Sequence, residues 1–168
     1  PRSTRPYTTL FRSLKRAFNS FRLTGQNNFK LEEDWKKNGA TAYETAMIKQ
    51  CPNFFILGGP NSATGHSSVV LALENGCKYF EIMARKVLSG EVEYIVPKDT
   101  AYDKWREVIQ TELKKQVFGT ALGGCVSWYT ADGYNNTAYP YSQIAYYRRV
   151  RNPVWNDLVV KRSDKKSV

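Results

Sequence analysis

The apolar run Asn53-Phe54-Phe55-Ile56-Leu57, closed by Gly58-Gly59-Pro60 and followed by a long periodic segment from Val69 to Leu88, constrains this chain's fold most. A run of this length bounded by Pro52 and Gly58-Gly59 reads as a buried strand of a parallel sheet. Val69, Val70, Leu73, Cys77, Phe80, Ala84 and Val87 then recur at three- and four-residue spacing. That spacing predicts a helix with this face inward and Glu74, Lys78, Glu81 and Arg85 on the opposite side. Ser67 or Ser68 stands where an N-cap belongs, and Gly90 lies just past the end. Strand, glycine turn and helix in that order present backbone N–H groups at a helix N-terminus, a site suited to an electron-rich or anionic group.

The turn fits neither of the common nucleotide loops. A phosphate loop needs four residues between its glycines and then Lys before Ser or Thr. Between Gly59 and Gly65 this chain has Pro60 to Thr64, one residue too many, and His66 stands in place of the lysine. The dinucleotide pattern GxGxxG occurs in no window of the chain. His66 is the only histidine; at a helix start it reads as a cap or hydrogen-bond partner in preference to a proton donor.

Elsewhere the pattern is plainer. Phe21 to Asn27 reads as a short strand entering a turn, and Leu31 to Lys37 as a single helical turn. Val92 to Val96 has partial alternation and stops at Pro97, as a strand would. Asp99 or Thr100 opens a second helix with Tyr102, Trp105, Ile109, Leu113 and Val117 on one face. After Gly119 the texture turns to Gly, Tyr and Asn, which predicts loops packed by aromatics through Tyr147 and a frayed polar tail from Asp157. Residues 6–13 resemble the in-frame translation of a common DNA-sequencing adapter, so 1–13 are set aside from the fold. The expected organisation is therefore 14–118 as the main unit, 119–156 as an aromatic, loop-rich extension, and 157–168 as the tail.

Charge narrows the function classes. The net charge of +10 concentrates at the two ends: residues 1–16 hold five bases and no acid, and 148–168 hold seven bases against Asp157 and Asp164. The interior balances thirteen bases against thirteen acids. A nucleic-acid binder spreads its bases over a folded face, so solvated ends are the expectation and nucleic acid is not an expected partner. Tyr146-Tyr147-Arg148-Arg149-Val150-Arg151, with aromatics beside cations, is the best support for the alternative, a non-catalytic module binding single strands or protein. Cys51, Cys77 and Cys125 are odd in number, with no CxxC pair, so no metal site is expected and a reduced, cytoplasmic setting is the simpler reading.

An ordered series of segments carries a resemblance. It begins with Phe21-Arg22-Leu23-Thr24-Gly25, Leu31 to Trp35 and Ala42-Tyr43-Glu44-Thr45-Ala46. The Pro52–Val70 block, Glu74, Tyr102 and Trp105 follow. Cys125-Val126-Ser127-Trp128-Tyr129, Asp132-Gly133-Tyr134-Asn135 and Tyr139-Pro140 close it. In order and spacing the series resembles the C-terminal part of the flavin-dependent monooxygenases of the Baeyer–Villiger and related class B group.

The resemblance implies an α/β fold, the C-terminal portion of a Rossmann-like FAD-binding domain, with Gly59, Asn61, His66, Ser67, Ser68 and Val69 nearest the cofactor. The complete enzyme would bind FAD and NADPH and insert one oxygen atom from O2 into a small organic ketone or heteroatom substrate through a C4a-peroxyflavin. Both glycine fingerprints would lie upstream of residue 14. Alone, this chain is therefore expected to be incomplete and inactive.

Overall fold

The computed structural model describes residues 22–63, 67–116, 130–131 and 133–163. Helix α1 (Leu31–Asn38) follows a tight 3-10 turn at Gln26–Asn28. The segment before it is not a strand: Thr24 makes one isolated antiparallel bridge, to Lys30. Helix α2 (Val69–Leu88) is the longest element. Strand β1 (Val92–Pro97) leads into helix α3 (Asp99–Lys114). Strands β2 (Thr130–Ala131) and β3 (Tyr134–Asn135) pair as a short hairpin. Helix α4 (Gln143–Arg151) and strand β4 (Leu158–Arg162) complete the described chain.

The main core forms where α2, α3, α4 and β1 meet the 43–47 segment. Tyr43, Met47, Tyr79, Met83, Ile95, Tyr102, Ile109, Tyr146 and Val150 are all buried there. A smaller cluster of Leu31, Ala42, Ile48, Cys51 and Ile56 sits beneath α1. On α3 the expected face is the one observed: Tyr102, Trp105, Ile109 and Leu113 are buried, and Val117 lies outside the described residues.

Four expectations are corrected. Residues 53–57 are not a strand of a parallel sheet. Phe55 makes a single antiparallel bridge to Met47, and Asn53, Gly58 and Asn61 all take positive φ. Left-handed residues at such short intervals bend the chain too often for a ladder to form. Asn53 instead satisfies the edge of β1, its side chain accepting from Ile95 N–H at 3.0 Å and donating to the Glu93 carbonyl at 3.0 Å.

The second correction concerns α2, which is rotated about its axis by roughly a quarter turn from the expectation, its charged side still outward. Its buried residues are Ala72, Asn75, Gly76, Tyr79 and Met83, while Val69, Val70, Leu71, Leu73 and Phe80 are exposed. The helix carries two apolar stripes with the same spacing. The stripe built on Ala72 and Gly76 lets α4 approach closely, with the Tyr146 hydroxyl packed over Gly76, and leaves the bulkier stripe open.

Third, the segment through Tyr147 is not all loop. The Ser142 hydroxyl caps α4 by accepting from Ala145 N–H at 3.2 Å, and Tyr146 and Val150 anchor it in the core. The aromatic packing itself is present, with Tyr139 and Tyr146 at 5.1 Å between ring centres. Fourth, 158–162 are not frayed. They pair antiparallel with β1, from Pro97 opposite Leu158 to Val92 opposite Arg162.

Candidate functional site

Two tight turns, packed against one another, organise the chemistry of the chain. The first is the 58–63 turn that precedes α2. Gly59 is buried, and a Cβ at this position would collide with the Thr45 carbonyl, so only glycine permits the approach. Asn61, 2% exposed with φ +59, donates through Nδ2 to the carbonyls of Asn135 at 2.7 Å and Ala138 at 3.0 Å. Its own N–H reaches the Asn136 carbonyl, and Ala63 exchanges two bonds with Thr137 and Tyr139. Gly59 and Asn61 thus set the path of the turn from within.

Ser67, Ser68 and Val69 carry that path into α2 and lie at the surface. Ser67 is half-buried, Ser68 and Val69 are exposed, and His66 is outside the described residues. The Ser68 hydroxyl accepts from Leu71 N–H at 3.4 Å, a long capping bond. Val69 and Val70 contribute first-turn amides, which have no partner within a helix. The result is an open N-terminus of a 20-residue helix, flanked by exposed apolar side chains. Replacing Ser68 with alanine is expected to cost about 0.5–1 kcal/mol, read as a lower urea midpoint, because the bond removed is long and solvated.

The second turn was missed as a site by sequence reasoning. Residues Tyr43–Met47 form a tight hairpin turn: Ala46 N–H reaches the Tyr43 carbonyl at 3.1 Å, and Tyr43 N–H reaches Met47 at 2.7 Å. Its two central residues, Glu44 and Thr45, have φ +50 and +61, a conformation that favours Asn-Gly and strains a β-branched residue. Helix α4 holds both. Arg149 Nε donates to the Glu44 carboxylate at 2.6 and 2.7 Å, and the Thr45 hydroxyl hydrogen-bonds the Tyr146 hydroxyl at 2.7 Å. Burial pushes the Glu44 carboxyl up to about 7, against the opposing pull of Arg149. Tyr43, its ionisation also disfavoured chiefly by burial, donates to Asp157 at 2.8 Å. The signal was a lone carboxylate inside the otherwise uncharged run 41–48.

The basic aromatic segment does not make a stacking platform. Tyr146 and Val150 are buried and Arg149 is paired. Arg151 reaches Asn75 Oδ1 at 2.7 Å and lies 3.6 Å over the Tyr147 ring. The Cys125–Tyr129 segment lies outside the described residues. Among the described residues no helix is long and apolar enough to cross a membrane, and no group of three His, Cys, Asp or Glu residues converges on a metal-sized site.

No protein-family model matches the chain. Individual relatives do. It is 30% identical over 152 residues to an FAD-binding monooxygenase of Aspergillus niger, a match spanning 88% of this chain and 24% of the relative. It is 33% identical over 133 residues to a Baeyer–Villiger monooxygenase of Streptomyces coelicolor, spanning 77% of this chain and 25% of the relative. The chain is a homologue of the Baeyer–Villiger flavin monooxygenases.

The fold agrees. An oxidised steroid monooxygenase bound to NADP superposes with a TM-score of 0.75 at 18% identity, over 88% of this chain and 28% of that one. Cyclohexanone monooxygenase from Rhodococcus sp. Phi1, bound to NADP+, gives 0.71 at 17% identity over 88% of this chain and 28% of that one. This homologue spans about a quarter of the length of the curated monooxygenases it matches.

Proposed function

We propose that this chain forms one side of the flavin site of an FAD- and NADPH-dependent monooxygenase acting with O2 on a small organic ketone or heteroatom substrate, as the C-terminal portion of its Rossmann-like FAD-binding domain. The observation that carries this reading is the open N-terminus of α2 within a chain homologous to FAD-binding enzymes. Gly59 and Asn61 fix the turn, and the amides of Ser67 to Val70 would hold the electron-rich edge of the flavin. His66 belongs to the same group by its place in the sequence. FAD, with NADPH as hydride source, would supply the redox and oxygen-activating chemistry.

The chain's own share is binding and orientation. The α2 dipole and first-turn amides stabilise negative charge at the ring edge. Exposed Val69, Val70 and Leu73 provide an apolar surface that keeps water from it. The same stripe, continuing to Phe80, is where the remainder of the enzyme would pack. A helix face this apolar is otherwise an aggregation hazard.

Two measurements test the reading. The purified chain with added FAD should not oxidise NADPH at 340 nm above the no-protein rate. A chimera in which it replaces the corresponding quarter of the Streptomyces coelicolor monooxygenase should retain FAD through gel filtration. Turnover by the chain alone, or a folded chimera that cannot hold FAD, would overturn it.

A further inference from the structure

A second concavity lies away from the N-terminus of α2, between α3, α4 and the 152–157 segment. Its volume is about 780 Å³, within the range of small-molecule sites. Exposed Val108, Tyr141 and Val154 give it apolar surface, backed by the buried rings of Trp105, Tyr139 and Tyr43. Trp105 packs edge-on against Tyr43 at 5.8 Å, so these rings hold fixed orientations.

The lining is also cationic. Lys104, Arg148 and Arg149 belong to it, and the only carboxylate in the lining, Asp157, already accepts from the Tyr43 hydroxyl. Arg149 is the centre of this arrangement. Its Nε is spent on Glu44, which is 2% exposed, whereas its own side chain is 40% exposed. Its guanidinium lies 4.9 Å over the Trp105 ring. Among the described residues no partner engages Nη1 or Nη2. A guanidinium anchored through Nε and resting on an indole keeps its outer N–H groups oriented without further loss of side-chain entropy. That is how a protein prepares to receive an oxyanion.

We infer that this cleft is a binding site for a small monoanionic carboxylate carrying a planar apolar body, the carboxylate meeting the Nη edge of Arg149 and the body lying along the exposed Val108, Tyr141 and Val154. Glu44 acts as the positioning residue, since it fixes the guanidinium and does not reach the ligand. Arg148 and Lys104 add attraction at the rim. The inference is independent of the flavin site, because none of its residues belongs to the 58–70 segment.

Benzoate titrated into the purified chain, followed by protein NMR, tests it, with benzyl alcohol and inorganic phosphate as comparison probes. Benzoate is expected to saturate with a dissociation constant on the order of 1 mM or tighter and to shift the Trp105 indole resonance. Benzyl alcohol and phosphate are each expected to bind at least about tenfold more weakly, since each lacks one of the two contacts. Arg149→Lys should weaken benzoate by about tenfold or more. Because that change touches the Glu44 pair, Lys104→Ala/Arg148→Ala serves beside it. Both residues are exposed, and their loss should weaken benzoate about threefold with the spectrum otherwise unchanged. No saturation by benzoate overturns the inference, as does equal binding of benzyl alcohol. Equal binding of phosphate reduces the cleft to a bare charge site and overturns it too.

Discussion

Replacing Asn61 with alanine is expected to lower the stability of the chain by about 2–4 kcal/mol, among the largest effects of any single change outside the aromatic core. Two costs combine. The Asn61 amide donates to two buried carbonyls, Asn135 and Ala138; Asn135 keeps Gln110 Nε2 at 2.9 Å, whereas Ala138 would be left without a donor at a cost of about 1–3 kcal/mol. Alanine would also inherit φ +59, a left-handed conformation costing roughly 1 kcal/mol without the local compensation an asparagine has. The two are separable. Asn61→Gly removes the bonds and relieves the backbone, so its loss should be smaller than that of Asn61→Ala by about 1 kcal/mol. Urea midpoints of the three proteins at constant m-value read both quantities. Equal losses for the two variants would show that the backbone contributes nothing. A loss under 1 kcal/mol for Asn61→Ala would show that the 135–138 carbonyls find other donors.

On the proposed function the same change would reach the flavin site, because Asn61 ties the turn before α2 to β3 and the loop after it. Release of that tie leaves the helix N-terminus less rigidly placed. An electrostatic role for α2 depends on its orientation at the site, so a site that tolerated Asn61→Ala without change would not depend on the turn.

How much of this was legible in the sequence follows from where each signal lives. Helix α3 was readable as far as Leu113, because Tyr102, Trp105, Ile109 and Leu113 form one stripe on a largely polar helix, and only one orientation buries it. Helix α2 was readable as a helix but not in its orientation. Its two stripes share a period, and the choice between them depends on α4, which supplies Tyr146 against Gly76. Helix α4 itself was hidden by composition: Tyr146 and Val150 are four apart, but they stand among Tyr, Arg and Pro that read as loop. Strand β4 has too few residues to declare itself, and its identity comes from pairing with β1. The run 53–57 misled in the opposite sense. Its apolar residues are needed for the core, while the positive φ at Asn53, Gly58 and Asn61 belongs to turn chemistry that periodicity does not weigh. The turn at 58–63 was legible as a turn, because Gly58-Gly59-Pro60 breaks the apolar run there. The Glu44–Arg149 pair was not, since 105 residues separate its partners and only the fold brings them together.

That pair gives the second large effect, a pH dependence. Glu44 is folded with a carboxyl pushed up to about 7 by burial, with Arg149 opposing, against an ordinary value near 4.5. The folded state therefore binds this proton more tightly than the unfolded chain does. Its contribution to stability is fully present below pH 4.5, declines as pH rises, and is gone once pH passes 7. A displacement from 4.5 to about 7 corresponds to about 3 kcal/mol over that window. The groups that face Glu44 are Arg149, Tyr43 and Asp157; Tyr43 stays neutral and Arg149 stays charged throughout, so the proton equilibrium is that of Glu44. Glu44→Gln keeps an oxygen acceptor for Arg149 Nε and removes the proton equilibrium. Its unfolding free energy, measured in urea from pH 4.5 to 8, should therefore fall less steeply than that of the unaltered chain, by about 3 kcal/mol across the range. Parallel profiles would mean that the Arg149 charge, and not burial, decides the state of Glu44, and that the strained Glu44–Thr45 turn is held by a full ion pair at every pH. A steeper fall in the Glu44→Gln variant would overturn the upward displacement of Glu44, since it would mean that the folded chain holds this proton less tightly than the unfolded one.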